Sequence, residues 1–538
     1  MRSDVTGIRF GRPGARAFRG VLFLILTVAV WPGRPDGVEA LQATGAPSLE
    51  DAAAAITSDA IANRIYFLAS DGLQGRNTPS PGLDAAAAYV VSEYRRMGLE
   101  PAGENGYYQH VPLELRGANA DASHLELAGP EGRTRLEMGH HFFALGSTEE
   151  PVSGRLEVLE GEPDAVDDSE LDLEGAVAAF PVEGDGGAAF LQVSAWQVAV
   201  AEDGGAAAVL HVLDGPIWTP EAIEQVHDQL GEPRWALGRE AGELPRFFVP
   251  RDAMEEALTE IGGALDPLAP GSGDEGTPSG VEEEVQMEGH LATRVEEEAG
   301  APNVIGMVEG SDPERRHEYV ALSAHLDHVG VGTPQDGDSI YNGADDNASG
   351  TAALMEVAGA LSSLPPDERP ARSVLFVHVS GEEKGLLGSE WWVDHPTVPI
   401  EDVVANINAD MIAGDAHPDT VMAMGKEYSE LGPLVRETAE RQDDVGLTVS
   451  PDLLPEENLF YRSDQYHFMR KEIPALFLFT GLHDCYHQPC DTADFIDPGK
   501  AAEVARLLFH STVAIGDLGA RPEWDPEGLA EVRQQTGR

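Results

Sequence analysis

The sequence predicts an α/β protein with a mostly parallel central sheet and helices on both faces. Five apolar runs after residue 302 alternate with segments of helical spacing: NVIGMV, YVALSAH, SVLFVHVS, VVANINADM and PALFLFTG. These runs are nearly continuous, as in strands that are buried on both faces. The chain has 538 residues, which is too long for one ordinary core, so a second, smaller unit is expected.

The amino-terminal stretch is typical of export. Several arginines precede VLFLILTVAVW (21–31), and Val-Glu-Ala follows as a cleavage site. The apolar stretch is shorter than the roughly 20 residues that a membrane-spanning helix needs. We therefore expect residues 1–40 to be a signal peptide and the mature protein to be secreted or periplasmic, with an uncleaved anchor as the alternative.

Residues 50–98 are expected to be mostly helical. LDAAAAYVVSEYRRMGL (83–99) has apolar residues at helical spacing, and Gly98 is suited to end a helix because glycine adopts left-handed backbone. Residues 41–139 are assigned to the first part of the main domain.

Short strands and turns then predict an inserted smaller α/β unit over 140–266; its segments are GRLEVLEG, GAVAAFPVEG, GGAAAVLHVLDG and PRFFVPRDAMEEALTEIG. PLAPGSGDEGTPSGVEEE (267–284) is rich in Pro, Gly, Ser and acidic residues, so 267–289 is expected to be a linker. The main domain is expected to resume over 290–520, and 521–538 is assigned to a C-terminal tail.

The charge of the chain excludes two classes of partner. Lys and Arg total 35 against 94 Asp and Glu, which gives a net charge of −59. A surface this acidic repels nucleic acid and anionic membranes, so neither is expected to bind the processed protein.

Side chains that bind metals follow the apolar runs from YVALSA onward. Because the carboxyl ends of parallel strands meet at one edge of a sheet, we expect these side chains to lie together. They are His325, Asp327, Glu382, Glu383, Asp410 and His487, with Asp345 and Asp346 in the loop NGADDNASG.

Histidine and carboxylate ligands without thiolate suit Zn²⁺, with Mn²⁺ and Co²⁺ as alternatives. In the His-x-Asp sequence, His325 and Asp327 lie on one face of a strand, so Asp327 can accept the imidazole N–H. Glu382 and Glu383 are adjacent and point in different directions. One can therefore bind a metal ion while the other takes a proton from a bound water molecule.

The two cysteines of the chain, Cys485 and Cys490, flank His487. In an oxidising compartment they are expected to form a small-loop disulfide. Two free thiols or a role in metal binding are the alternatives.

Five motifs, in this order, resemble the co-catalytic zinc aminopeptidases of clan MH, metallopeptidase family twenty-eight: SAHLDH, GADDNASG, SGEEKGLLGS, NADM and YHQPCDT. This family includes bacterial leucine-type aminopeptidases and glutamate carboxypeptidase. The resemblance covers roughly residues 50–135 and 290–515. Residues 140–265 resemble the protease-associated domain that is often inserted in this family.

The resemblance implies two zinc ions per chain. Asp346 would bridge both ions. Glu383 and His487 would be the further ligands of one ion, and His325 and Asp410 those of the other; the grouping could be reversed. His487 is favoured over His483 as the last ligand because it lies in the YH match.

The resemblance also implies roles around the ions. Glu382 would be the general base, and Tyr461 would donate a hydrogen bond to the developing oxyanion. Asp327 and Asp491 would support the ligands from behind, and His328 is expected behind the ligands or on the surface.

The implied function is that of an exported di-zinc aminopeptidase acting on peptides. The alternatives are a carboxypeptidase of the same family, a glutaminyl-peptide cyclase-like acyltransferase on a single-zinc scaffold, and an inactive binding ectodomain. His325 argues against the cyclase, whose relatives lack this ligand. The fully occupied ligand positions argue against the ectodomain, and the Arg-poor chain offers no basic cluster for a substrate carboxylate.

Overall fold

The computed structural model describes residues 47–148, 150–159, 172–183, 197–198, 200–202, 204–238, 244–263, 279–280, 285–414 and 416–536. The expected signal peptide and most of the expected linker lie outside these residues. None of the described helices combines the length and the apolar character needed to cross a membrane.

The described strands are, in chain order, β1 (Glu100–Pro101), β2 (Tyr108–Ala118), β3 (His124–Gly129), β4 (Gly132–Glu137), β5 (Phe143–Leu145), β6 (Val152–Val158), β7 (Val177–Glu183), β8 (Ala208–Asp214), β9 (Arg234–Leu237), β10 (Arg246–Pro250), β11 (Ser279–Gly280), β12 (Gln286–His290), β13 (Thr293–Val308), β14 (Tyr319–His325), β15 (Gly330–Gln335), β16 (Asp338–Tyr341), β17 (Ser373–Val379), β18 (Val403–Ala409), β19 (Thr420–Met424), β20 (Thr448–Ser450) and β21 (Ala475–Phe479). The described helices are α1 (Leu49–Ala54), α2 (Ser58–Leu68), α3 (Pro81–Met97), α4 (Pro220–Gly231), α5 (Arg251–Glu260), α6 (Gly350–Ser363), α7 (Leu387–Asp394), α8 (Leu431–Arg441), α9 (Gln465–Arg470), α10 (Pro498–Gly516) and α11 (Pro526–Thr536).

The central sheet has the strand order β20-β19-β21-β18-β14-β17-β13-β2-β9, with β1 beside β13. The expected α/β fold is confirmed, but the sheet is mixed. Strands β21, β18, β14 and β17 run parallel, whereas β13, β2 and β9 pair antiparallel. The NVIGMV run lies in β13, which runs opposite to β14 in the same sheet. Strands that run parallel need a long crossover connection, and no helix lies between β13 and β14 to provide one.

Helices cover both faces of this sheet, as predicted. On β14, Val320 and Leu322 pack with helices α2, α3, α6 and α10 in one apolar cluster. Ala321 points the other way and packs with Trp392 of α7 and Phe468 of α9. This alternation along a fully buried strand explains why the apolar runs in the sequence are continuous.

A second sheet forms the smaller unit, in the order β4-β3-β12-β6-β7-β8-β10-β5, with β11 beside β6. It has its own apolar cluster, to which Met254 and Leu258 of α5 contribute. The sheet begins at His124, earlier than the predicted start at 140. Residues 286–289, expected as linker, lie in its strand β12, while β9, from within the predicted insert, pairs with β2 in the central sheet.

The predicted helical stretch 50–98 is confirmed, and Gly98 ends α3 with a φ of 81°. The segment predicted as a C-terminal tail is ordered as α11. Val532 in that helix is buried, and the indole N–H of Trp524 donates to the carbonyl oxygen of Glu472 at 2.7 Å. This segment therefore packs against the main domain.

Buried histidines make the fold sensitive to acid. Burial lowers the pKa of His211 from 6.5 to about 3, with Arg246 adding to the effect. His211 stacks on Phe248 at 4.6 Å between ring centroids. Below about pH 6.5 the unfolded chain takes up a proton that the folded protein refuses until about pH 3, so stability falls as the pH drops through this range.

We predict that His211→Phe reduces this acid sensitivity, because a phenyl ring keeps the stacking and does not titrate. Between pH 7.5 and pH 5, the wild type should lose roughly 2 kcal/mol more unfolding free energy than the variant. Urea unfolding at both pH values measures the difference. His317→Gln, at an exposed histidine, is the control and should behave as wild type; equal losses in His211→Phe and wild type would contradict the prediction.

Candidate metal centre

The four parallel strands deliver the expected side chains to one edge of the sheet. His325 is the last residue of β14, Glu382 and Glu383 lie in a short helical turn after β17, and Asp410 follows β18 directly. Asp346 comes from the turn that precedes α6. His487 lies in the loop after β21, as expected from the sequence.

Two groups of ligand atoms meet at Asp346. In the first group, the Nε2 atom of His325 lies 3.2 Å from Oδ1 of Asp346 and 3.2 Å from Oδ1 of Asp410. In the second, the Nε2 atom of His487 lies 3.1 Å from Oδ2 of Asp346 and 3.2 Å from Oε2 of Glu383. Asp346 thus gives one carboxylate oxygen to each group, which is the arrangement of a bridging ligand.

The donor set and its spacing fit divalent metal ions. Ligands bonded to one tetrahedral zinc ion lie about 3.3 Å from each other. The four nitrogen–oxygen separations of 3.1–3.2 Å are close to this value. Oε1 of Glu383 is buried, lies 2.7 Å from Nδ1 of His328 and forms no aligned hydrogen bond with the described residues.

The histidines carry the charge that the carboxylates require. Burial opposes protonation of His487, yet its hydrogen bonds with Asp346 and Glu383 raise the pKa to about 10. His325 is fully buried, but the charges of Asp410 and Glu382 raise its pKa well above the usual value. The carboxylates of each group therefore strongly favour a nearby positive charge.

Neighbouring groups hold the ligands in place. The hydroxyl of Ser463 donates to Oδ2 of Asp410 at 2.9 Å, which leaves Oδ1 for the first group. Asp491 accepts the backbone N–H groups of Asp345 at 2.9 Å and Asp346 at 3.1 Å. Asp491 therefore holds the turn that carries Asp346.

Asp327 acts differently from the expectation. Its carboxylate lies 3.9 Å from Nδ1 of His325, while its backbone carbonyl oxygen is closer, at 3.2 Å. The carboxylate instead accepts the hydroxyl of Thr78 at 2.9 Å and the backbone N–H of Glu382 at 3.2 Å. The reason is that β14 ends at His325, so strand alternation does not extend to Asp327.

Arg76 supplies a buried cation beneath the carboxylates. It is 1% exposed, and it donates to the carbonyl oxygens of Leu326, Asn342 and Gly343 at 2.8–2.9 Å. Burial lowers its pKa to about 10, against the opposing charge of Asp346 and its neighbours. Arg76 thus joins the end of β14 to the loop that carries Asp346.

Glu382 lies in the cleft without belonging to either ligand group. Removal from water raises the pKa of its carboxyl well above the usual value, and the charges of Glu383 and Asp410 add to this effect. It lines the cleft with Asp346, Asp410 and His487. A carboxylate in this position can accept a proton.

A disulfide closes the loop that carries the last ligand. Cys485 and Cys490 are bonded, as predicted, and His487 between them has a φ of 53°. The ring of Tyr486 stacks on the His487 ring at 3.9 Å between centroids.

The prediction for Tyr461 is not supported. Its ring packs edge-on against Phe460, within an apolar cluster that includes Tyr428, and its hydroxyl does not line the cleft. Tyr486 does line it. Tyr461 was chosen from a local motif, which does not show where the ring points, whereas Tyr486 directly precedes His487 and could have been considered from that position.

Two other histidines, His483 and His328, lie near the ligand groups. His483, the rival to His487, contacts Asp345 at 3.1 Å and belongs to neither group. His328 is fully buried, so it is not a surface residue, and one of its ring nitrogens lies within 4.8 Å of ligand atoms of Asp346, Glu383 and His487. Sequence reasoning did not assign it a partner because no strand periodicity covers the loop after β14.

Comparison with known proteins agrees with this site. Residues 303–512 match the family model described as Peptidase family M28. A probable leucine aminopeptidase of Arthroderma benhamiae is 29% identical over 205 residues, covering 36% of this chain and 54% of the relative. Aminopeptidase YwaD of Bacillus subtilis is 30% identical over 128 residues, covering 24% and 25% respectively.

The chain thus spans about half the length, or less, of these curated relatives. The solved aminopeptidase from Aneurinibacillus sp. strain AM-1 has a TM-score of 0.45 and 19% identity, covering 89% of this chain and 97% of its own. The family match contains every residue of both ligand groups. Residues 303–512 of this chain are therefore similar to peptidase family M28 over the whole of the candidate metal centre.

Proposed function

We propose that this chain is an exported zinc aminopeptidase that binds two zinc ions and removes residues from the amino ends of peptides. The main support for the proposal is that the two carboxylate oxygens of Asp346 face different histidines. Oδ1 lies 3.2 Å from His325, and Oδ2 lies 3.1 Å from His487. The family match and the names of the leucine aminopeptidase relatives support it. The disulfide supports export, since disulfides persist in oxidising compartments.

The proposed mechanism assigns roles to the side chains of the cleft. Two zinc ions at these ligands would polarise the scissile carbonyl and lower the pKa of a water molecule. Glu382 takes the proton of the attacking water and returns it to the leaving amine, a role that its position in the cleft lining outside both ligand groups supports. Burial raises the pKa of Tyr486, so its hydroxyl stays protonated and can donate to the developing oxyanion.

The cleft also suggests which end of the peptide enters. With zinc ions on the ligands, Glu382 would be a carboxylate of the cleft lining that is free of metal, and it favours a substrate ammonium group over a carboxylate. Its walls are apolar and suit an apolar first side chain; the lining includes Met411, Leu459, Phe477, Phe479, Leu482 and Tyr486. Arg462 also lines the cleft and favours the carboxypeptidase alternative, but it is already engaged with the carbonyl oxygen of Glu457 at 3.2 Å.

The unit spanning 124–290 is proposed to be a protease-associated domain. Its separate sheet and apolar cluster support its treatment as an insert in the peptidase domain.

We predict two zinc ions per chain in protein purified without chelators, measured by elemental analysis. Asp346→Asn should weaken the binding of both ions, because the Asp346 carboxylate faces both ligand groups. Asp410→Asn should mainly weaken the binding of one ion. A single ion in the wild type would contradict the bridged site and favour the cyclase alternative. No ion after zinc is added would favour a binding protein.

We predict that Glu382→Gln lowers kcat by about 10²–10⁴-fold on a leucine anilide, the usual range for loss of a general base. The zinc content should stay the same, because Glu382 belongs to neither ligand group. Glu401→Gln, at an exposed glutamate, is the matched control and should keep full activity. Turnover retained in Glu382→Gln would remove this residue from the base role.

We predict that a free amino terminus is required. Acetylation of the amino end of a leucine-initiated peptide should abolish cleavage, and amidation of its carboxyl end should leave the rate nearly unchanged. Product analysis by mass spectrometry distinguishes the two ends. The opposite pattern would establish the carboxypeptidase alternative.

A further inference from the structure

His328 is a fully buried histidine beside the second ligand group, three residues after His325. Its Nδ1 atom lies 2.7 Å from Oε1 of Glu383 and 3.6 Å from Oδ2 of Asp346. Its ring meets the ring of His487 edge-on at 5.6 Å between centroids. Nothing in the mechanism above uses this side chain.

The contact between His328 and Glu383 differs from the contacts between ligands. Each pair that would share an ion is separated by 3.1–3.2 Å, whereas this pair is separated by 2.7 Å. Two groups on one tetrahedral zinc ion lie about 3.3 Å apart, so the atom pair Nδ1–Oε1 at 2.7 Å is closer than a pair of zinc ligands. It is the distance of a hydrogen bond to a carboxylate, about 2.7–2.9 Å.

We propose that His328 is a positioning residue for Glu383: its Nδ1–H donates to Oε1, so that Oε2 stays directed toward the ion and His487. This inference rests on the proposed metal centre. Among the described residues, Nδ1 and Oε1 have no aligned hydrogen-bond partner, so each is free to satisfy the other. The N–H and the oxygen are close but not yet in line, as is common in sites without their ligand.

The same arrangement occurs on the other side of the bridge. Asp410 turns Oδ1 to His325 and receives the Ser463 hydroxyl on Oδ2 at 2.9 Å. Glu383 turns Oε2 to His487 and meets His328 on Oε1. Asp410 and Glu383 would thus each receive a hydrogen bond from a protein donor on the oxygen that does not face the ligand histidine. Loss of such a donor typically changes metal affinity about 10–100-fold.

The packing around His328 restricts the ring to this position. A Cβ atom at Gly343 would lie 2.5 Å from Cγ and 2.6 Å from Cδ2 of His328, so the ring occupies the space that glycine leaves. The backbone N–H of His328 donates to the carbonyl oxygen of Arg76 at 3.3 Å, which fixes the residue itself. The ring is therefore packed closely against the backbone at Gly343.

The test is the affinity of the full-length chain for its two zinc ions, measured by competition with a chromophoric chelator. His328→Phe keeps a ring and removes the donor, and we expect it to weaken one ion about 10–100-fold and leave the other nearly unchanged. His328→Asn places an amide N–H near the position of Nδ1 and should restore most of that affinity. Thermal unfolding of the metal-free proteins checks that each variant is folded.

Repeating the measurement in the His487→Ala variant identifies the ion whose affinity depends on His328. His487→Ala removes a ligand of the second ion, so in that background His328→Phe should have little further effect on the ion that remains. X-ray absorption at the zinc edge should give the same number of imidazole ligands in His328→Phe and in wild type.

Three results would overturn the inference. Two ions bound with unchanged affinity in His328→Phe would refute it alone and leave the proposed function intact. Loss of an imidazole from the zinc shell would show that His328 is itself a ligand. A wild-type chain that binds no zinc would overturn both this inference and the proposed function.

Discussion

The crowding of acidic side chains at one edge of the central sheet is the constraint on which the site depends. Six aspartates near this edge are buried: Asp327, Asp345, Asp346, Asp410, Asp464 and Asp491. Charges withdrawn from water are stable only when paired or hydrogen-bonded. The fold supplies Arg76, backbone N–H groups and hydroxyls, and without a bound ion the carboxylates also favour protonated histidines. Divalent ions at Asp346 would take the place of those protons, because a histidine that binds a metal ion is neutral.

The sequence predicted the parts of this site that follow from strand geometry. His325, Glu382, Glu383 and Asp410 follow buried parallel strands, and a regular sheet brings such positions together whatever the side chains do. Asp346 was found through its motif, because it lies on the turn before α6 and no strand delivers it.

The structure departs from the expectations at features that local sequence does not encode. The direction of β13 depends on pairing with β2 and β17, which are distant in the sequence. The position of the Tyr461 hydroxyl depends on how a short turn rotates its side chains. His328 lies in a loop, where neither strand nor helix periodicity indicates whether a residue is buried. The boundary of the second unit was misplaced because β3 and β4 join a sheet whose other strands come mostly later in the chain.

The disulfide between Cys485 and Cys490 has a consequence for how readily the ion site assembles. It closes a loop of only a few residues around His487, so the unbound loop has few alternative conformations. The entropic cost of ordering this ligand is then met during oxidative folding instead of at the moment an ion arrives. An ion that binds at His487, as proposed, would therefore meet a preorganised imidazole.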